Sequence, residues 1–193
     1  HGFTPANLAA YNEQTQAMND ILKRLEELRK AEEFIFLEFF IIAEGQMWGQ
    51  ILPILAEKAA AGVDVRVMYD GICEITTLSF DYSRRLQRLG IKSKPFSRLR
   101  PLVTTTYNNR DHRKLLVIDN KVAFTGGINL ADEYINRIDR FGHWKDAAVM
   151  VKGDGATSFT AMFLQLWNIT EREPVWDPYL QKQAAPAGDG FVM

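Results

Sequence analysis

His112-Arg113-Lys114-Leu115-Leu116-Val117-Ile118-Asp119-Asn120-Lys121-Val122-Ala123-Phe124-Thr125-Gly126-Gly127-Ile128-Asn129 reads as two short apolar strands around a polar turn. Leu115 to Ile118 and Val122 to Thr125 are the strands, and Asp119-Asn120-Lys121 is a hairpin signal. His112 and Lys114 are two apart, so on a strand their side chains share a face. A two-residue turn at Asp119-Asn120 pairs Ile118 with Lys121, sets Thr125 opposite Lys114 and puts Gly127 opposite His112. A residue without a side chain beside the imidazole leaves an open pocket. The backbone N–H groups of Gly126 and Gly127 could then approach an anion closely. Asn129 projects to the same face and adds an amide donor.

These groups suit a phosphoryl substrate. The imidazole can attack phosphorus while Lys114 and Asn129 neutralise charge on the equatorial oxygens. Positive side chains take the place of a metal, so no cofactor is expected. Each residue alone has a plainer explanation. Lys114 could be a solvated strand lysine, the glycine pair a simple bend, and Asp119 a turn residue rather than a proton carrier. Their joint spacing carries the reading.

Outward from this stretch, elements alternate. Apolar residues from Met18 to Leu28 recur at helical spacing, predicting a helix to about Ala31. Phe34 to Ile42 reads as a buried strand with Glu38, an ionisable residue, in its middle; a site-lining role is expected for it. Met47 to Ala61 forms a helix ended by Gly62, and Val63 to Tyr69 a strand, giving a β-α-β unit with parallel strands. Asp70 closes that strand at its carboxyl end, where α/β sheets place ligands; Asp70 and Arg110 are weaker site candidates. Tyr82 to Leu89 is a short helix, Trp144 to Val151 a strand and Ala156 to Trp167 a helix. The fold class is α/β, a sandwich.

Composition narrows the function. The chain has 193 residues and 47% hydrophobic content, enough for one sizeable core. Net charge is −1, which does not suit nucleic-acid binding by the molecule as a whole. Eleven Lys/Arg residues between Arg84 and Lys121 face only Asp111 and Asp119, which points either to an anionic group handled locally or to a solvated face of loops. The single cysteine, Cys73, excludes an internal disulfide and reads as a small buried hydrophobe. Phe34 to Ala43, the most apolar run, is about half of a bilayer crossing. The chain as given is expected to be soluble.

The central stretch resembles the HKD signature of the phospholipase D superfamily, with His112, Lys114, Asp119, Gly126, Gly127 and Asn129 filling its positions. Surrounding segments are similar to the first half of bacterial cardiolipin synthases: Phe36-Leu-Glu38-Phe-Phe, Val65-Arg-Val-Met-Tyr-Asp70-Gly, Tyr107-Asn-Asn-Arg110-Asp-His112, Gly126-Gly-Ile-Asn-Leu-Ala-Asp132 and Phe141-Gly-His-Trp144-Lys-Asp146. The resemblance implies an α-β-α sandwich with a mixed, largely parallel central sheet over residues 15–170. Residues 1–14 are expected as an N-terminal extension and 171–193 as a linker toward a missing second half. It also implies transfer of a phosphatidyl group through a phosphohistidine at His112. Two phosphatidylglycerols would give cardiolipin and glycerol. Asp146 matches the carboxylate that holds the histidine's other nitrogen.

The partners implied are anionic phospholipid, a membrane surface, and a second HKD half or another copy of the chain; nucleic acid is not among them. The parent protein is expected at the bacterial cell membrane. One departure matters: the family builds a site from two motifs, and this chain has one. His143-Trp144-Lys145 imitates its opening, but Met150 stands where Asp is required. The alternatives are a phospholipase D-type nuclease acting as a homodimer and an inactive half that binds lipid head groups. The segment Pro95 to Val103, mixing arginines with apolar residues, reads as a loop and not as a strand, either packed on its own domain or set as a rim at a lipid interface.

Overall fold

The computed structural model describes residues 23–98, 110–140 and 142–181. Helix α1 occupies 23–29. The order that follows is β1 (Phe34–Phe39), α2 (Gln46–Ala60), β2 (Asp64–Asp70), α3 (Cys73–Thr76), α4 (Tyr82–Arg88) and β3 (Lys92–Phe96). Then come β4 (Lys114–Ile118), β5 (Val122–Gly126), β6 (Ala148–Lys152) and α5 (Gly155–Trp167). The expected start of α1 before residue 23, the family-like Tyr107-Asn108-Asn109 and Phe141, and the tail beyond 181 lie outside the described residues.

Six strands form one sheet in the order β3-β2-β1-β4-β5-β6. β1, β2 and β3 are parallel, while β4 pairs antiparallel with β1, β5 with β4, and β6 with β5. The mixed α/β sheet agrees with expectation; its parallel pairs are confined to one half. Every residue of central β1 is buried. Its Ile35, Leu37 and Phe39 join the core under α1, α2 and α4, and Phe34 and Phe36 join the core under α5. Strand alternation thus puts helices on both faces, the α-β-α sandwich.

Asp132, in a 3-10 turn after β5, ties the layers at the site end. Its carboxylate accepts the Gln46 and Met47 N–H groups at 2.9 and 2.8 Å, capping α2. A Cβ on Gly45 would stand 2.6 Å from that carboxylate, so a larger residue there has to push the capping group aside.

Three expectations need correction. The hairpin pairs Ile118 with Val122, so Thr125 faces Leu115 and not Lys114. Asp119 and Asn120 both have positive φ, but Lys121 is an extra turn residue whose carbonyl accepts the Gly153 N–H instead of a β4 partner. Lys92–Phe96 is a strand despite Pro95, because β3 is an edge strand whose outer N–H groups need no partner. Residues 171–181, expected as linker, pack on the domain. Tyr179 donates to Asp64 at 2.7 Å, accepts from Arg66 at 2.6 Å and packs edge-on against Phe34 and Phe36.

Candidate functional site

β4 runs antiparallel to β1, so its beginning lies beside the carboxyl ends of β1 and β2: Lys114 stands opposite Phe39. That is the end where α/β sheets place ligands. Here His112 is exposed and Lys114 is 6% exposed. Lys114 Nζ donates to the His112 carbonyl at 2.8 Å and lies 3.2 Å from Nδ1 and 3.4 Å from Nε2 of the ring. Phe40 backs the pair, with its ring 4.8 Å from the imidazole and 5.5 Å from Nζ. Burial holds the Lys114 ammonium below the usual lysine range, against the pull of Asp111 and Asp146. An accessible imidazole beside a partly desolvated cation is a pairing that can receive and neutralise an anion.

The glycine pair serves this end differently from expectation. A Cβ on Gly127 would stand 2.3 Å from Asp146 Oδ1, and one on Gly126 2.3 Å from the Ala147 carbonyl. The gap is therefore filled by the segment leading into β6 and is not an empty pocket. The Gly127 N–H donates to the Ala147 carbonyl at 3.3 Å instead of facing an anion. Asp146 accepts from the Ala147 N–H at 2.7 Å and from Trp144 Nε1 at 3.3 Å; the expected grip on the His112 ring is not among its described hydrogen bonds. It acts on the site through its charge on Lys114.

Asn129 is 2% exposed and its carboxamide is engaged, accepting the Ile41 N–H at 3.0 Å and donating to the Tyr134 hydroxyl at 2.7 Å. Those two bonds tie the chain after β5 to the end of β1, next to the bridge between Ile42 and Leu130. Asp119 lies at the opposite end of β4 from His112 and is 1% exposed. It accepts the N–H groups of Glu32, Glu33 and Phe34 at 2.8, 2.9 and 2.7 Å, so it anchors the entry to β1 and is remote from the imidazole.

Glu38 does not line the opening. It is fully buried on the α5 side of β1, against Arg113 and Asp111, the two neighbours of His112. Asp70 is also buried; Arg110 Nη1 donates to it at 3.0 Å and the Asp111 N–H at 3.3 Å. Sequence reasoning missed Asp111, Arg113 and Phe40. Their signal was adjacency, since Asp111 and Arg113 flank His112 and share Glu38's side of the sheet. Arg98, expected either on its own domain or at a lipid-facing rim, pairs with buried Glu74 at 2.6 Å and lies over Phe80 at 5.3 Å; residues 99–103 are outside the described residues.

Among the described residues no group of three or more His, Cys, Asp or Glu side chains could hold a metal ion. No described helix is long and apolar enough to cross a membrane.

Residues 25–167 match the family described as cardiolipin synthase, PLD-like domain. The chain belongs to this phospholipase D-like family. It is 65% identical over 168 residues to an uncharacterized protein of Streptococcus mutans, covering 86% of this chain and 36% of that one. It is 35% identical over 193 residues to a cardiolipin synthase of Alkalihalophilus pseudofirmus, covering 96% and 38%. The chain thus spans little more than a third of the length of these relatives. Among solved structures, the phospholipase D family member Nuc from Salmonella typhimurium superposes with a TM-score of 0.57 at 20% identity, over 75% of this chain and 84% of that chain. That likeness speaks to the fold.

Proposed function

We propose that the chain is one catalytic half of a phosphatidyltransferase making cardiolipin from two phosphatidylglycerols. His112 attacks the phosphorus of the first lipid, and the bond from phosphorus to the glycerol oxygen breaks. Glycerol leaves with a proton from an acid on a second motif, supplied by another part of the protein or by a second copy. A hydroxyl of the second phosphatidylglycerol then attacks the phosphohistidine, surrendering its proton, and His112 is regenerated. Lys114 neutralises charge on the equatorial oxygens. The observation that carries the reading is the exposed imidazole with a buried ammonium beside it, in a chain of the cardiolipin synthase family.

The experiment is to incubate the full-length protein with phosphatidylglycerol labelled with ³²P and quench early. Acid-labile, alkali-stable label on the protein, absent in His112→Asn, is expected. Turnover without such label, or label that survives the substitution, overturns the step at His112.

A second reading, a phosphodiesterase or nuclease working as a homodimer, is favoured by one finding: a single copy of this fold fills most of the Nuc chain. Turnover of phosphatidylglycerol and of plasmid DNA, measured beside solution mass, separates the two. Robust lipid turnover by a strict monomer of this chain alone would defeat the requirement for a second motif. A chain that binds anionic liposomes and turns over neither substrate would be a head-group-binding half.

A further inference from the structure

Buried charge behind the reactive strand is out of balance. Glu38 and Asp111 are two carboxyl groups sharing one guanidinium, that of Arg113, whose Nε lies 2.5 Å from Glu38 Oε1 and 3.3 Å from Asp111 Oδ1. Even so, Glu38 Oε1, Glu38 Oε2 and Asp111 Oδ2 are all buried without an aligned donor. Against these three oxygens stands one idle buried donor, Arg113 Nη2. From β2, Asp70 is another acceptor, already taking Arg110 Nη1 and the Asp111 N–H. From α5 comes the Met162 carbonyl, which accepts from Arg113 Nη1 at 3.1 Å. Lys114 belongs to the other face of β4 and spends its ammonium at His112. Around Glu38 three idle carboxyl oxygens therefore face one idle guanidinium nitrogen, and a buried acceptor left without a donor is costly.

A single proton repairs this. Glu38 and Asp111 are near enough to hydrogen-bond. With a hydrogen on Glu38 one idle acceptor becomes a donor, and the cluster is left with one negative and one positive charge. We propose that Glu38 is a positioning residue that works as a neutral carboxylic acid, donating to Asp111 while it packs against Arg113, and so fixes both chain neighbours of His112. The inference rests on the reading of His112 as the reacting group. Burial first, and then the Asp111 charge, push the Glu38 carboxyl up to about 9, with Arg113 opposing. The sign follows: its folded value stands above the ordinary carboxylate value of 4.5. Its contribution to stability is therefore complete below pH 4.5 and is lost as pH rises toward 9.

Glutamine keeps the shape and a donor but cannot ionise; leucine keeps bulk and neither. The full-length protein, Glu38→Gln and Glu38→Leu are compared from pH 5 to 10. Three quantities are read: the melting temperature, phosphatidylglycerol turnover and the His112 ring resonances by NMR. Glu38→Gln is expected to keep turnover within about threefold at pH 7, where the unmodified residue is already neutral. Its melting temperature should gain on the parent's as pH rises toward 9. Its His112 resonances should match the parent's, whereas Glu38→Leu shifts them and loses at least about tenfold in turnover while folded. Equal pH dependence of melting in parent and Glu38→Gln overturns the neutral acid. Loss by Glu38→Gln equal to that of Glu38→Leu overturns it as well. If no variant turns over lipid, the phosphatidyltransferase reading fails, and the melting and resonance comparisons still decide the role of Glu38.

Discussion

At its Asp119 end β4 leaves no described acceptor idle. The carboxylate takes three backbone N–H groups, while Asn120 donates to the Tyr179 carbonyl at 2.5 Å and accepts from Thr160 at 2.5 Å. Its His112 end is the reverse: an exposed imidazole, a buried ammonium close to it, and carboxyl oxygens that outnumber their donors. One five-residue strand joins the two. The difference shows that a single sequence motif can combine opposite tasks. Satisfied polar groups fix where the strand lies, and unsatisfied or exposed ones at the other end remain available for chemistry.

Substitutions at the two ends should therefore separate activity from stability. The largest effect is expected at His112. If the proposed transfer is right, His112→Ala in the full-length protein should cut it by at least about a hundredfold, the usual worth of a positioned reacting group. Its urea midpoint should hardly move, because the ring is exposed. Retention of a tenth of the activity would remove His112 from the chemistry.

Asp119→Ala should behave oppositely. Three backbone donors near the start of β1 lose their acceptor, at a cost of about 1–3 kcal/mol for each that stays buried and unpaired. Water reaching the partly exposed Glu32 and Glu33 N–H groups lowers the sum, so a loss of about 3 kcal/mol is expected in denaturant titration. Transfer per folded molecule should persist. A stable, inactive Asp119→Ala protein would mean that the carboxylate takes part in the reaction after all.

The twin glycines sharpen the comparison within the site end. At Gly126 an added Cβ meets backbone, the Ala147 carbonyl at 2.3 Å and Ala148 Cα at 2.9 Å. At Gly127 it meets only the end of the exposed Asp146 side chain, which can swing away. Gly126→Ala should cost about 2 kcal/mol, within the overpacking range, and Gly127→Ala less. Gly127→Ala should act on the chemistry by displacing Asp146 and removing its pull on Lys114, and the Lys114 titration should then move further down. Equal stability loss at both positions would show that the β6 lead-in yields as readily as a side chain.

Parts of this were legible in the sequence because they depend on strict periods. His112 and Lys114 were placed on one face by strand alternation, and they do meet, although β4 begins only at Lys114 and His112 lies just before it. Glu38 stood out as a lone carboxyl in an apolar run, but its partners come from more than seventy positions away, and no local pattern links them. The hairpin register was missed by one residue because Lys121 is held by Glu32 and by the Gly153 N–H, both outside the hairpin. Residues 171–181 read as linker because only Trp176, Tyr179 and Leu180 among them dock on the α5 side. Their docking depends on Arg66, whose guanidinium is 4.7 Å from the Tyr179 ring and 5.3 Å from that of Trp167. That cage exists only once β2 and α5 are already packed.

The smallest effect tests the division of labour at Asn129. Its carboxamide spans from the Ile41 N–H to the Tyr134 hydroxyl, and Tyr134 in turn packs edge-on against Trp144 at 4.6 Å. Tyr134→Phe keeps the ring and its packing and removes only the acceptor for Asn129 Nδ2. Because Asn129 is 2% exposed, water has little access to replace the lost partner. The cost should be about 1 kcal/mol, that of one neutral hydrogen bond. If the amide serves mainly to hold the chain after β5 against the end of β1, transfer per folded molecule should stay within about fivefold, the most that a loss of about 1 kcal/mol makes in any rate it touches. If the released amide turns instead toward the phosphate beside Lys114, substrate should bind more tightly while stability still falls. A raised affinity in Tyr134→Phe would return Asn129 to the reacting groups. An unchanged affinity with the expected small loss of stability would leave it with Asp119, among the residues of the motif that hold the strand and do not touch the substrate.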